Sequence, residues 1–268
     1  MFSLMGKVAV VTGGGRGIGQ GISLMLAAAG ACVVFSGRSA GPLGETVARI
    51  KASGGKAVAL AADITNPEAP DRLVAKAMTE FGRLDFWVNN AGSAARDDVG
   101  ALIDLDAGQW DRVVDLNMKY AFFCAQAAAR AMRDHGGGSI INITSRSGSH
   151  PNPMTGQYGA AKAGVENLTM TMAVEWGHMG IRVNSVAPGV IVTEQTNVIL
   201  SRDRAQKQID TVPLGRLGQP SDIASACVYL ASDASQWVSG VTIPVNGGSR
   251  IAIGYLAYLR RVAKEKQG

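Results

Sequence analysis

The chain is poor in cysteine, aromatic residues and charge. Its 268 residues include three cysteines, Cys32, Cys124 and Cys227, far apart in apolar segments. They form no CxxC pair and no Cys/His cluster with metal spacing, so neither a disulfide framework nor a metal site is expected. They read as small buried hydrophobes in a reducing compartment. Aromatic residues make up 6% and charged residues 18%. No stripe interleaves basic and aromatic side chains, so nucleic acid is not an expected partner. No stretch approaches the roughly 18 apolar residues that a membrane span needs. The start, MFSLMGKVAVVTGG, has no positive segment followed by an apolar region and a small-residue cleavage site. A cytoplasmic protein with no membrane partner is therefore expected.

The formal net charge of +5 is uneven. Arg250, Arg260, Arg261, Lys264 and Lys266 against Glu265 concentrate it in the last stretch, leaving only about +1 for the rest. The pI of about 9.2 thus describes a tail and not a basic binding face.

Apolar residues are plentiful, at 47%, and so are glycines, at 34. The glycines stand singly or in short clusters between apolar runs and read as turns and points of close approach. Short β-branched runs occur at 7–12, 32–36, 56–61, 84–89, 138–144, 181–186 and 241–245. They are continuously apolar more than alternating, as in strands buried on both faces of a parallel sheet. Helical patterns lie between them. Ile18, Ile22, Met25, Leu26 and Ala29 form one stripe of a helix over 17–29. A second helix is expected to open at Thr65-Asn66-Pro67-Glu68, with Thr65 as its cap. A third is expected to begin near Pro220-Ser221-Asp222. The alternation predicts right-handed βαβ crossovers and one doubly wound α/β domain over 1–250, with 251–268 as an extension.

The first strand candidate runs into Thr12-Gly13-Gly14-Gly15-Arg16-Gly17-Ile18-Gly19, which opens the first helix. A glycine-rich loop in this context binds a dinucleotide. Gly13 permits the turn, Gly17 lets pyrophosphate approach the backbone, and Gly19 allows close helix–sheet packing. The helix N-terminus offers free N–H groups and a positive dipole to the phosphates. The second strand ends Ser36-Gly37-Arg38-Ser39, with Gly37 where an NAD-binding fold usually carries an acid. Arg38 and Arg16 offer the planar cations that a 2′-phosphate needs, and Ser36 and Ser39 offer hydroxyls. The expected cofactor is NADP(H).

Tyr158 and Lys162 stand at i and i+4 of a helical pattern, so they share a face. Ser145 falls at the end of the fifth strand. In an open α/β sheet ligands bind outside the carboxyl ends of the strands, so Ser145, Asn89-Asn90-Ala91-Gly92 and the glycine loop should share one crevice. A phenol with a pKa of about 10 is a weak acid/base. A nearby lysine cation favours the phenolate and lowers that value. Lys162 is expected to supply this field and to bond the nicotinamide ribose, while Ser145 holds the substrate oxygen.

With these motifs in order, the chain resembles the short-chain dehydrogenase/reductase family over roughly residues 6–249. The matching residues are TGGGRGIG, Asp63, NNAG at 89–92, Asn117, Ser145, YGAAK at 158–162, Pro188-Gly189 and Thr193. The resemblance implies a Rossmann fold with strand order 3-2-1-4-5-6-7, a homotetramer, and hydride transfer between NADP(H) and a ketone or secondary alcohol. It implies that Asp63 approaches the adenine, that Asn90 supports the nicotinamide-side ribose, and that Asn117 holds a water linking Lys162 to solvent. Pro188, Gly189 and Thr193 would face the nicotinamide. The full cofactor set adds Ile18, Ile64, Ala91, Gly92 and Ile191, and the catalytic set is Asn117, Ser145, Tyr158 and Lys162.

The strings PMTGQY and GRLGQPSDIA resemble hydroxysteroid dehydrogenases, 3-oxoacyl thioester reductases and small-ketone reductases alike. The substrate loops are expected at 93–100, 146–157 and 190–214, the last forming an apolar lid. Arg146 reads as a contact to an acidic substrate group or as a surface ion pair, the commoner case for an arginine. The tail carries an apolar stripe from Ile251 to Val262 that would pack on an oligomer or border the pocket. A non-catalytic NADP(H)-binding protein is the competing class, but such proteins typically lose the Tyr, the Lys or the Ser.

Overall fold

The structure is a computed structural model describing residues 2–194 and 202–249. Its strands are β1 (Val8–Val11), β2 (Cys32–Gly37), β3 (Lys56–Ala61), β4 (Phe86–Asn89), β5 (Gly138–Ile143), β6 (Ile181–Pro188) and β7 (Thr242–Val245). They form one sheet in the order β3-β2-β1-β4-β5-β6-β7, as the resemblance implies. Every pairing is parallel. β1 and β4 at the centre are buried at every residue, which is why both lack alternation.

The helices are α1 (Gly17–Ala28), α2 (Ala40–Ala52), α3 (Ala69–Phe81), α4 (Ala107–Val114), α5 (Tyr120–Arg133), α6 (Gly156–Trp176), α7 (Arg202–Ile209) and α8 (Pro220–Ala231). They divide over the two faces. On one, Ile22 and Leu26 of α1 and Ile223 and Leu230 of α8 pack with Val33 and Phe35. On the other, Leu73 of α3 and Met132 of α5 pack with Val34, Trp87 and Ile140. Parallel crossovers place every strand's carboxyl end on one edge, where the loops carrying the predicted site residues meet.

One helix start differs from the expectation. Thr65 does not cap a helix: the Asp63 carboxylate accepts from the Thr65 N–H and hydroxyl, at 2.9 and 2.8 Å. The Asn66 side chain then accepts from Glu68 N at 2.9 Å. Two successive side-chain turns occupy the segment. α3 therefore opens three residues later, at Ala69, with Glu68 in the cap position and Pro70 in its first turn. Among the described residues no helix is long and apolar enough to cross a membrane. The tail beyond Ser249 and Val198, Ile199 and Leu200 of the expected lid lie outside the described residues.

Candidate active site

The loop after β1 is held from β4. The Thr12 hydroxyl oxygen accepts from the N–H groups of Asn90 and Ala91, both at 3.0 Å. The Asn90 amide donates to the carbonyls of Thr12 and Gly13, at 2.9 and 3.3 Å. Gly13 has a φ of 69° and Gly17 one of 52°, both in the left-handed region that glycine tolerates. A Cβ on Gly19 would lie 2.1 Å from the Gly13 carbonyl oxygen. Gly19 thus lets the loop close on itself, a nearer constraint than the expected helix–sheet packing. No side chain caps α1, leaving its first N–H groups for an anion.

At the next strand ends, Ser36 is buried and Arg38 is exposed, with no carboxylate in β2 between them. Asp63 is fixed by its two bonds from Thr65. The Thr65 N–H, more than the cation of Arg38, holds its carboxyl below the usual carboxylate value. Ser39 stands before α2 and is not part of the cleft wall.

Ser145 follows β5, and Tyr158 and Lys162 occupy the first two turns of α6. The Ser145 and Tyr158 side chains line the same cleft, and the Ser145 Oγ accepts from Ser147 N at 3.1 Å. Lys162 Nζ lies 5.5 Å from the centre of the Tyr158 ring and donates to the Ile143 carbonyl at 3.0 Å. Burial brings Lys162 down to about 8. Burial also raises Tyr158 above its ordinary value, and the neighbouring Ser145 side chain opposes this only in part. This corrects the sequence expectation that a lysine field would lower the phenol: burial, which disfavours the charged phenolate, is the larger effect here.

Asn117 lies not in an ordinary α-helix but in a π-helical turn, Asp115–Lys119, between α4 and α5. Its amide donates to the carbonyls of Ser93 and Val113, at 2.7 and 2.9 Å. Its Oδ1 is buried with no partner among the described residues. A Cβ on Gly92 would fall 2.5 Å from that oxygen and 3.1 Å from Lys162 Nζ. The open acceptor and the ammonium therefore face the same glycine.

A cavity of about 910 Å³ runs across the strand ends. Every residue of the predicted cofactor set lines it, from the glycine loop through Arg38, Asp63 and Asn90 to Pro188, Gly189, Ile191 and Thr193. Ser145, Tyr158 and Lys162 line it too, while Asn117 sits behind Gly92. Arg146, in a short turn after Ser145, does not line it. Asp98 falls in the expected 93–100 loop, but sequence reasoning missed Arg112, Leu116 and Tyr120 in the wall. No motif marks them, because folding alone brings 112–120 over the strand ends. The residues fit a dinucleotide: a side-chain-free cradle at a helix N-terminus, cations at one end and a hydroxyl pair at the other.

Residues 13–250 match the family described as Enoyl-(Acyl carrier protein) reductase. The chain belongs to the short-chain dehydrogenase/reductase family of nicotinamide-dependent oxidoreductases. It is 41% identical to the 2-dehydro-3-deoxy-D-gluconate 5-dehydrogenase of Escherichia coli, over 92% of this chain and 96% of that protein. It is 40% identical to a 3-oxoacyl-[acyl-carrier-protein] reductase of Synechocystis, over 92% and 98%. The solved 7α-hydroxysteroid dehydrogenase complexed with NADH and 7-oxo glycochenodeoxycholic acid superposes with a TM-score of 0.88 at 37% identity, over 92% and 95% of the two chains.

Proposed function

We propose that this protein interconverts a ketone and a secondary alcohol using NADP(H), in a single catalytic domain over residues 1–250 with 251–268 as an extension. The observation that carries the reading is the convergence of Ser145, Tyr158 and Lys162, with Lys162 Nζ 5.5 Å from the centre of the Tyr158 ring, in the same cleft as the glycine loop. The nicotinamide, when bound, supplies or takes the hydride. The protein's own groups manage the oxygen. Ser145 Oγ donates to the carbonyl oxygen and orients it. In reduction the Tyr158 hydroxyl gives that oxygen its proton, and in oxidation the phenolate takes the proton back. Lys162 holds a ribose hydroxyl and stabilises the phenolate, and the free Asn117 oxygen holds a water through which protons move between Lys162 and solvent. The glycine loop and α1 hold the pyrophosphate, and Asp63, Ile64, Ala91 and Gly92 border the adenosine and ribose.

The preference for the phosphorylated cofactor rests on charge. Arg16, Ser36 and Arg38 line one end of the cleft, and no carboxylate ends β2. An arginine fork suits a 2′-phosphate, and an acid there would repel it. Three unpaired cysteines suit a reducing cytoplasm. A homotetramer remains the expected assembly, and sedimentation would test it.

The test is a panel of steroids, 3-oxoacyl thioesters, cyclic ketones and sugar-acid ketones, followed by NADPH absorbance. Turnover of at least one is expected. Tyr158→Phe should retain NADPH binding and lose nearly all turnover; full activity in that variant would refute the mechanism.

A further inference from the structure

Asp98 lies in the loop between β4 and α4 and is only 5% exposed. Its Oδ1 accepts from Nε and Nη2 of Arg112 on α4, at 3.0 and 2.9 Å. Its Oδ2 accepts from Ala95 N at 3.3 Å. Its main-chain carbonyl accepts from Nε2 of Gln157 at 2.6 Å. Gln157 is fully buried and stands immediately before Tyr158. Gly100 N donates to the Met154 carbonyl at 2.8 Å. Leu102 packs so closely on Gly156 that a Cβ there would come within 2.7 Å of its side chain. The segment 95–102 is thus fastened to the start of α6 at three points and to α4 by an ion pair.

The polar choices at these two positions need a reason. A buried carboxylate is costly unless paired, and a well-packed apolar side chain often serves stability as well. The Gln157 amide makes one hydrogen bond, and its Oε1 finds no partner among the described residues. An apolar residue of the same shape would avoid that desolvation. Both side chains make sense if their bonds keep one wall of the cleft in register with the tyrosine. Asp98, Arg112, Ser145 and Tyr158 all line that cleft.

We propose that Asp98 and Gln157 are positioning residues, which fix the substrate wall of residues 93–102 relative to the Tyr158 hydroxyl and so set how the carbonyl substrate is seated. The proposal rests on the ketone-reductase reading. It assigns these residues to substrate seating and not to proton transfer or cofactor binding.

The experiment uses the full chain carrying Gln157→Met or Asp98→Asn. Met keeps the length of Gln and removes the bond to the loop; Asn keeps the shape of Asp and removes the charge facing Arg112. Amide hydrogen exchange across 93–105 should quicken about fivefold or more in each variant, with β4 and β5 unchanged, since a lost hydrogen bond opens the loop locally. With a ketone that the wild type reduces, KM should rise about 5- to 20-fold while kcat stays within about twofold and NADPH affinity is unchanged. Unchanged exchange in 93–105 would overturn the proposal. So would a parallel loss of kcat, NADPH affinity and thermal midpoint, the mark of a merely structural role. If one variant does not fold, the other decides. A wild type inactive on every ketone would refute the oxidoreductase reading, whereas the exchange result judges the fastening of residues 95–102 without turnover.

Discussion

Lys162 Nζ donates to the carbonyl of Ile143 at 3.0 Å, so the helix that carries the tyrosine is tied to the end of the strand that precedes Ser145. This bond is made by an ammonium that is 4% exposed and, among the described residues, forms no salt bridge. Burial depresses its affinity for a proton, from 10.5 to about 8.

Lys162→Met should therefore be inactive and more stable at neutral pH. The sign follows from linkage. Below about pH 8 the folded and unfolded chains both hold the proton, and the fold carries the full burial penalty. Between about 8 and 10.5 the folded lysine is neutral while the unfolded one is still charged, so wild-type stability rises with pH. The bond to Ile143 offsets part of the penalty. A net gain on the order of 1–2 kcal/mol is expected for the variant at pH 7, shrinking towards pH 10. Urea unfolding at both pH values checks this; a variant less stable at pH 7 contradicts it.

The two reaction directions should depend on pH differently. Tyr158 is raised above 10, mainly by burial, so it stays protonated through the neutral range. Reduction needs that proton and should be flat from about pH 6 to 8. Oxidation needs the phenolate, so its rate should climb from pH 7 to about 10 without a plateau. Initial rates in both directions measure this. A plateau in oxidation below pH 8 would place the phenol below its ordinary value.

Gly92→Ala should damage catalysis more than folding. The new methyl would press on Asn117 Oδ1 and Lys162 Nζ, at 2.5 and 3.1 Å. Overpacking of this kind costs about 1–3 kcal/mol. A loss of kcat of about tenfold or more is expected, with the far-ultraviolet circular dichroism spectrum retained. Wild-type kcat would show that the glycine is not needed for this approach.

Arg38→Asp should reverse the cofactor preference. Loss of a charge-assisted bond, together with a repelling carboxylate, should weaken NADPH binding roughly 10- to 100-fold and leave NADH binding unchanged or improved. Fluorescence titration with each dinucleotide measures it. Equal loss for both would mean that Arg38 serves the fold and not the phosphate.

The sheet could be read from the sequence because its central strands are buried on both faces and its edge strands are still short apolar runs between turns; 56–61 matches β3 residue for residue although β3 is only partly buried. Tyr158 and Lys162 were visible because their spacing is local. The carboxylate of Asp63 was visible too, but its hold on Thr65 was not, so the start of α3 was placed three residues early. Asn117 came through resemblance alone, since a π-helical turn leaves no periodic trace. The Asp98–Gln157 bond joins residues 59 apart, and although both fall in expected substrate loops, nothing in the sequence pairs them. Long-range side-chain pairing is set by packing, which hydrophobic period does not encode.

The tether from Asn90 to Thr12 and Gly13 spans nearly eighty residues of chain. The phosphate cradle therefore has no finished shape until β4 has docked beside β1. A nascent chain that has emerged only as far as α3 would carry the entire glycine motif and yet grip dinucleotide poorly. Saturating cofactor, which favours the fully assembled state by mass action, should shield the whole central sheet from proteolysis and not the amino-terminal third alone.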